Sequence, residues 1–150
     1  MRRTRFDDAP CPIARTDDLI GDGWTPMVLR EAFLGRRRFD EFQRALSVSR
    51  GVLAERLARL VDEGLLAKQP YEERPPRHEY VLTEKGRALY PVLVAMWRWG
   101  SDWLWEEGSA PALELCDKQS GRPLRPRLVD ENTGRPIDVK RVRIAARRPS

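Results

Sequence analysis

The segment "SVSRGVLAERLARLVDEG" (residues 47–64), with the two alternating stretches behind it, limits the fold more than any other feature of the chain. Leu53, Leu57, Leu60 and Val61 recur at i, i+4, i+7 and i+8, which puts them on one stripe of a helix. Ser49 is placed to cap its first turn, and Gly64 can leave it in a left-handed conformation. The opposite face holds Gly51, Glu55, Ala58 and Arg59, with Val52 and Arg56 on its flank. Those small and polar groups have no need of burial. The alternating stretches, "LLAKQPY" and "HEYVLT", both read as strands. Between them stand Pro75 and Pro76, which donate no backbone hydrogen bond and so belong at a sheet edge or loop tip. Arg74 and Arg77 flank them and would project from that tip.

The segments upstream are shorter and also helical. A first helix is expected over 11–20, with Pro12 in its first turn and Gly21 and Gly23 ending it. A second runs over 25–34, with Met27, Val28, Leu29, Ala32 and Phe33 on a broad apolar face. Phe39, Phe42 and Leu46 space out a third. After the hairpin, Thr83 caps a last helix expected from about 84 to 107, whose second half carries Trp97, Trp99, Trp103 and Trp105. That much aromatic area exceeds what a lone helix end needs, so part of it is expected to meet another subunit or a flat ligand. Three helices, a long helix, a hairpin and a helix form the order of a winged helix-turn-helix, an α+β fold that is mainly α. In that arrangement the 49–63 helix lies in a major groove and the hairpin is the wing.

Charge is unevenly placed. Residues 1–111 hold 18 Lys+Arg and 18 Asp+Glu, whereas residues 112–150 hold 10 and 5, so the net +5 lies wholly in the last quarter. No apolar run approaches the ~20 residues of a membrane span, and the N-terminus has no apolar signal core. Cys11 and Cys116 stand far apart, which argues against a stapled secreted scaffold and for a cytoplasmic setting. The chain has one histidine, His78, and no phosphate loop, metal-ligand cluster or nucleophile motif, so no enzyme and no cofactor is expected.

The ordered set of Cys11-Pro12, Trp24, Arg38-Phe39, Leu53 and Leu57, Glu63-Gly64-Leu65, Pro75-Pro76, Glu79-Tyr80, Leu82-Thr83 and Gly86 resembles the HxlR-type regulators of bacteria, relatives of the MarR group. The resemblance runs from about residue 11 to 104. It departs at Gly23, where a basic residue is common, and at His78, where an apolar one is usual. It implies a homodimeric DNA-binding transcription factor, a repressor on our reading, with a dimer built from the first and last helices and an inverted-repeat operator. It also implies that Cys11 is a candidate thiol sensor, since some members use the cysteine of this motif. A helix N-terminus stabilises a thiolate, although a cysteine is equally a small packing residue. The competing expectation is a winged-helix protein-interaction module that has lost sequence reading.

Double-stranded DNA divides the expected contacts into positioning and reading. Arg36, Arg37, Arg38, Arg56, Arg59, Arg74 and Arg77 are the phosphate candidates, with Arg38 alternatively bracing the fold. Ser49, Arg50, Val52 and Glu55 are the base-reading candidates, with Arg56 able to do either job, and Gly51 would let the backbone approach. Trp97, Trp99 and Trp103 are the candidate dimer surface or effector pocket.

Beyond Pro111 the pattern changes. "DKQSGRPL" (117–124) returns as "DENTGRPI" (130–137), thirteen residues on. The repeat is similar to the two knuckles of a zinc ribbon, with Asp117, Ser120, Asp130 and Thr133 at the ligand positions. Two carboxylates and two hydroxyls do not replace four thiolates, so the module is expected to be metal-free. Its arginine-rich hairpins would extend the DNA footprint, dock on a partner or only stabilise the dimer, the alternative being a mobile tail. The expected division is therefore a flexible arm at 1–10, the winged helix-turn-helix at 11–108, the β-hairpin module at 112–145 and a disordered tail at 146–150.

Overall fold

The computed structural model describes residues 5–149, so the first four residues of the expected N-terminal arm and the last of the expected tail lie outside the described residues. The chain divides into two compact units, residues 1–93 and 94–150. The first contains α1 (Pro12–Ile20), α2 (Thr25–Phe33), α3 (Phe39–Leu46), α4 (Arg50–Asp62), β1 (Leu66–Glu73), β2 (Pro76–Leu82) and the short α5 (Glu84–Arg87). The helix α6 (Tyr90–Trp103) begins there and ends in the second unit.

The stripe read from the sequence is the core. Leu53 and Leu57 are fully buried and Leu60 nearly so, together with Val28, Leu29, Phe42, Leu65 and Leu66. Val61 packs against this cluster at its margin. Ser49 caps α4 by accepting the Val52 amide at 3.3 Å. At the other end Gly64 takes φ +76°, and the Leu65 amide reaches back to the Leu60 carbonyl.

The strands pair antiparallel with Leu66 opposite Leu82 and Gln69 opposite Glu79. The register slips by one residue between Pro70 and Glu72, which leaves Tyr71 as the extra residue, and the pairing resumes to Glu73 opposite Pro76. A third backbone joins the edge: the Tyr80 amide donates to the Arg37 carbonyl at 2.7 Å.

The sequence "TEKG" (83–86) fastens the wing to the end of α4. The Thr83 hydroxyl donates to the Gly64 carbonyl at 2.5 Å and accepts the Gly86 amide at 3.0 Å. Lys85 Nζ donates to the Glu63 carbonyl at 2.6 Å. A Cβ on Gly86 would stand 2.1 Å from the Leu65 carbonyl oxygen, so only glycine fits there.

The single helix expected over 84–107 is two helices. Pro91 has no amide to give and crowds the preceding turn, so the helix halts after Arg87 and restarts at Tyr90. It also ends at Trp103, short of the expected limit.

In the second unit the repeated turns are small antiparallel hairpins, each with one bridge, Cys116 opposite Pro123 and Val129 opposite Pro136. Asp117 accepts the Ser120 amide and hydroxyl at 2.7 and 2.8 Å, and Asp130 accepts the Thr133 hydroxyl at 2.6 Å. The four positions that resemble zinc ligands thus pair with each other inside their own turns. These bonds hold both carboxyls below the usual aspartate range, led at Asp117 by the Ser120 amide and at Asp130 by the Thr133 hydroxyl. Among the described residues no group of three or more His, Cys, Asp or Glu could hold a metal. Arg98 on α6 donates to the Pro126 carbonyl at 3.1 Å, which ties the hairpins to that helix.

Candidate nucleic-acid interface

The helix-turn-helix is α3, the turn through Ser47 and Val48, and α4. Ser47 adopts the left-handed conformation at φ 50°, and Val48 is buried under the turn. This fixes α4 with Leu53, Leu57 and Leu60 inward. Ser49, Arg50, Gly51, Ala54, Glu55 and Ala58 form its exposed strip, and Val52 is half-buried at the edge. Arg50 lies over the Phe39 ring, its guanidinium carbon 4.9 Å from the centroid, so its stem is steadied from α3. Glu55 pairs with Arg56 at 2.8 Å. Ala54 is absent from the residues expected on sequence grounds, since its side chain carries no polar signal, yet its position four residues after Arg50 puts it on the strip.

Two of the phosphate candidates are engaged within the chain. Arg56 Nε donates to Asp22 Oδ1 at 3.1 Å, and Arg59 donates to the Asp18 carbonyl at 2.6 Å with the Asp18 carboxylate 3.5 Å away. Both aspartates are largely buried, at 10% and 7% side-chain exposure. These arginines therefore brace α4 against the α1 end and the α1–α2 loop. Burial pushes the Asp22 carboxyl up, but bonds from the Thr25 hydroxyl, the Thr25 and Trp24 amides and the Arg56 charge outweigh it and leave it below the usual range.

The arginines of the α2–α3 loop are also engaged. Arg36 approaches the buried Glu31 at 3.7 Å, which Arg30 meets at 2.6 Å. Arg37 faces Glu79 of β2 at 3.6 Å. Arg38 stacks on the bulge residue Tyr71 at 4.4 Å, a contact of the kind the bracing alternative calls for. The Arg37 and Arg38 amides donate to Glu41 at 2.9 and 3.0 Å, which closes the first turn of α3 and holds the Glu41 carboxyl low, the Arg37 amide contributing most. These side chains stay exposed enough to meet a ligand. Arg36 also lines an open cleft of about 390 Å³ with Glu41, Arg44 and Ala45. At the wing tip Arg77 pairs across the hairpin with Glu72 at 3.4 Å, while Arg74 is exposed and has no carboxylate partner among the described residues.

Cys11 is exposed and occupies the N-cap of α1. No residue of α6 is buried: Trp99 and Trp103 are 60% and 72% exposed and Trp97 is half-buried. Among the described residues no helix is long and apolar enough to cross a membrane.

Comparison with known proteins agrees with this geometry. The chain is 38% identical over 130 residues to Rv3095 of Mycobacterium tuberculosis, an uncharacterized HTH-type transcriptional regulator, over 87% of this chain and 82% of that one. It matches the crystal structure of PA1607 at TM-score 0.84 and 38% identity, covering 93% of this chain and 97% of that one. That coverage takes in most of the second unit. HypR, a redox regulator, matches in its reduced form at TM-score 0.58 and 34% identity, covering 61% of this chain and 92% of that one. Residues 19–108 match the family model of the HxlR-like helix-turn-helix, and the chain belongs to that family of transcriptional regulators.

Proposed function

We propose that this DNA-binding transcriptional regulator acts as a homodimer on an inverted repeat, with α4 in successive major grooves and the wing tip on the adjacent backbone. The observation that carries the proposal is the open strip of α4, Ser49, Arg50, Gly51, Ala54, Glu55 and Ala58, beside a hairpin that ends in Arg74. The side chains of this strip are exposed, and a Cβ on Gly51 would meet nothing within 4 Å, so the backbone there admits close approach. Arg50 reads a guanine edge, and Glu55 accepts from a cytosine amine. The uncovered tryptophan-bearing face of α6 supports dimerisation, since an apolar helix face of that extent is covered in a stable protein. Where the site overlaps a promoter, occupancy blocks transcription, and on this reading the protein is a repressor.

The test is a mobility shift on the duplex upstream of the protein's own gene, against a scrambled duplex of equal length. Wild type is expected to prefer the promoter, and Arg50→Ala to lose that preference. Equal affinity of wild type for both duplexes would instead support a winged-helix interaction module.

A second element concerns control. The likeness to the redox regulator HypR, with an exposed Cys11 at the N-cap of α1, supports a thiol-linked change in operator affinity. Diamide is expected to weaken promoter binding by wild type and to leave Cys11→Ser unaffected. An equal response in both removes Cys11 as the sensor.

A further inference from the structure

We infer that the second unit grips the sugar–phosphate backbone of duplex DNA without reading sequence, through Arg122 and Arg135 on its twin turns. The inference rests on the proposal that the first unit reads DNA. Four observations carry it.

The first is pairing. Residues 112–150 hold 10 Lys+Arg against 5 Asp+Glu. Three of those five acids are engaged by their own turns: Asp117 by Ser120, Asp130 by Thr133, and Asp138 by the Lys140 amide at 2.9 Å. Among the described residues no ion pair involves any lysine or arginine of 112–149, and Arg122 and Arg135 donate no side-chain hydrogen bond. A charge surplus with no internal use faces outward.

The second is presentation. Gly121 and Gly134 take nearly the same positive φ, 67° and 66°, immediately before the two arginines. The Arg122 carbonyl accepts the Asp117 amide at 2.9 Å, and the Arg135 carbonyl accepts the Asp130 amide at 2.8 Å. A proline comes after each, which fixes the backbone further. Both backbones are clamped while both guanidinium groups remain in solvent. Rigid display lowers the ordering cost of a phosphate contact, and the planar fork suits phosphate.

The third is what the rest of the chain lacks. Residues 1–111 carry no net charge, and Arg56 and Arg59 are turned inward to Asp22 and Asp18. Sequence reading by α4 needs a backbone term to hold it on DNA, since phosphate contacts supply essentially all non-specific affinity.

The fourth is that the likeness to PA1607, at 93% of this chain, spans both units. The hairpins and the winged helix recur together in one chain.

The experiment measures fluorescence anisotropy of the full chain on two labelled duplexes, one from the upstream promoter and one scrambled, over a salt series. Wild type is compared with Arg122→Ala/Arg135→Ala and Arg122→Lys/Arg135→Lys. The alanine pair is expected to flatten the slope of log affinity against log salt by about 2 for each protomer bound, roughly 0.9 per lost phosphate, and so by about 4 for a dimer. Both duplexes should weaken by the same factor, so the promoter preference stays, and the lysine pair should restore the slope. A slope and affinity unchanged in the alanine pair overturn the inference, as does a loss confined to the promoter. If wild type binds both duplexes alike and the alanine pair still flattens the slope, sequence reading fails and the backbone grip stands. Wild type bound to neither duplex overturns both.

Discussion

The two units use the same arginine-rich composition to opposite ends. In the first, Arg30, Arg36, Arg37, Arg44, Arg56, Arg59 and Arg77 each face a carboxylate, and every buried hydrophobic residue of the described chain lies there. In the second, no described residue is buried, Asp117 and Asp130 close their own turns, and, Arg98 with Asp102 apart, no arginine among the described residues has a carboxylate within ion-pair distance. Net charge alone does not tell where a region's arginines point. The near balance of the first unit, 17 Lys+Arg against 15 Asp+Glu over 1–93, reflects arginines fitted into the architecture, and the surplus of 112–150 reflects acids withdrawn from pairing.

The largest expected difference between the units is in side-chain burial. Phe42 is fully enclosed, so Phe42→Ala should cost about 3–5 kcal/mol in denaturant unfolding. Leu128 in the second unit is 68% exposed, and Leu128→Ala should stay within about 0.5 kcal/mol. A comparable loss at Leu128 would break the comparison, because it would mean that a second copy of the chain covers the hairpins.

Next comes the loss of a brace. Arg59→Ala strands the buried Asp18 and should cost about 1–3 kcal/mol, whereas Arg127→Ala, with no partner to strand among the described residues, should be silent in the same melt. A silent Arg59→Ala would return that arginine to the phosphate contacts. This difference marks the limit of what sequence could tell. The helix α4 was legible from end to end because its signals are local: the Ser49 cap, the leucine spacing and the Gly64 stop. The wing was legible from its prolines and its alternation. The roles of Arg56 and Arg59 were hidden, because Asp22 and Asp18 lie 34 and 41 residues away and nothing in either segment names the other. The break before Tyr90 was legible in Pro91, but the long apolar pattern around it masked the signal. The pairing of Asp117 with Ser120 and of Asp130 with Thr133 was visible in the spacing, though as inherited ligand positions and not as the turn-closing bonds they form.

A smaller effect is expected with pH. Because folding depresses the Asp22 carboxyl, its contribution is complete above the unfolded value near 3.8 and is lost as pH falls through the lower folded value. The wild-type melt should therefore lose stability below about pH 4. Asp22→Asn should be less stable at neutral pH and show a shallower acid slope. The exposed Asp117 and Asp130 are also depressed, yet Asp117→Asn should leave that slope unchanged, since its turn holds no core in place. Equal flattening by both substitutions would mean that the hairpins unfold together with the first unit.

The smallest stability change, and the sharpest division of roles, is expected at the wing tip. Arg74 is the exception within its own unit: exposed, with no carboxylate partner among the described residues, and set beside two prolines where no strand partner could use it. Arg74→Ala should leave the melt within about 0.5 kcal/mol while lowering the salt slope of DNA binding by about 1 for each protomer bound. Arg56→Ala should do the reverse, with stability reduced by weakened bracing of Asp22 and the slope retained once the fold is compensated by measuring at lower temperature. If Arg74→Ala leaves the slope unchanged, the wing does not touch the backbone, and the electrostatic grip falls to the second unit. If Arg56→Ala lowers the slope without a stability cost, the ion pair with Asp22 opens on DNA and the arginine exchanges a carboxylate for a phosphate. Each outcome assigns an arginine by which of two measurements moves.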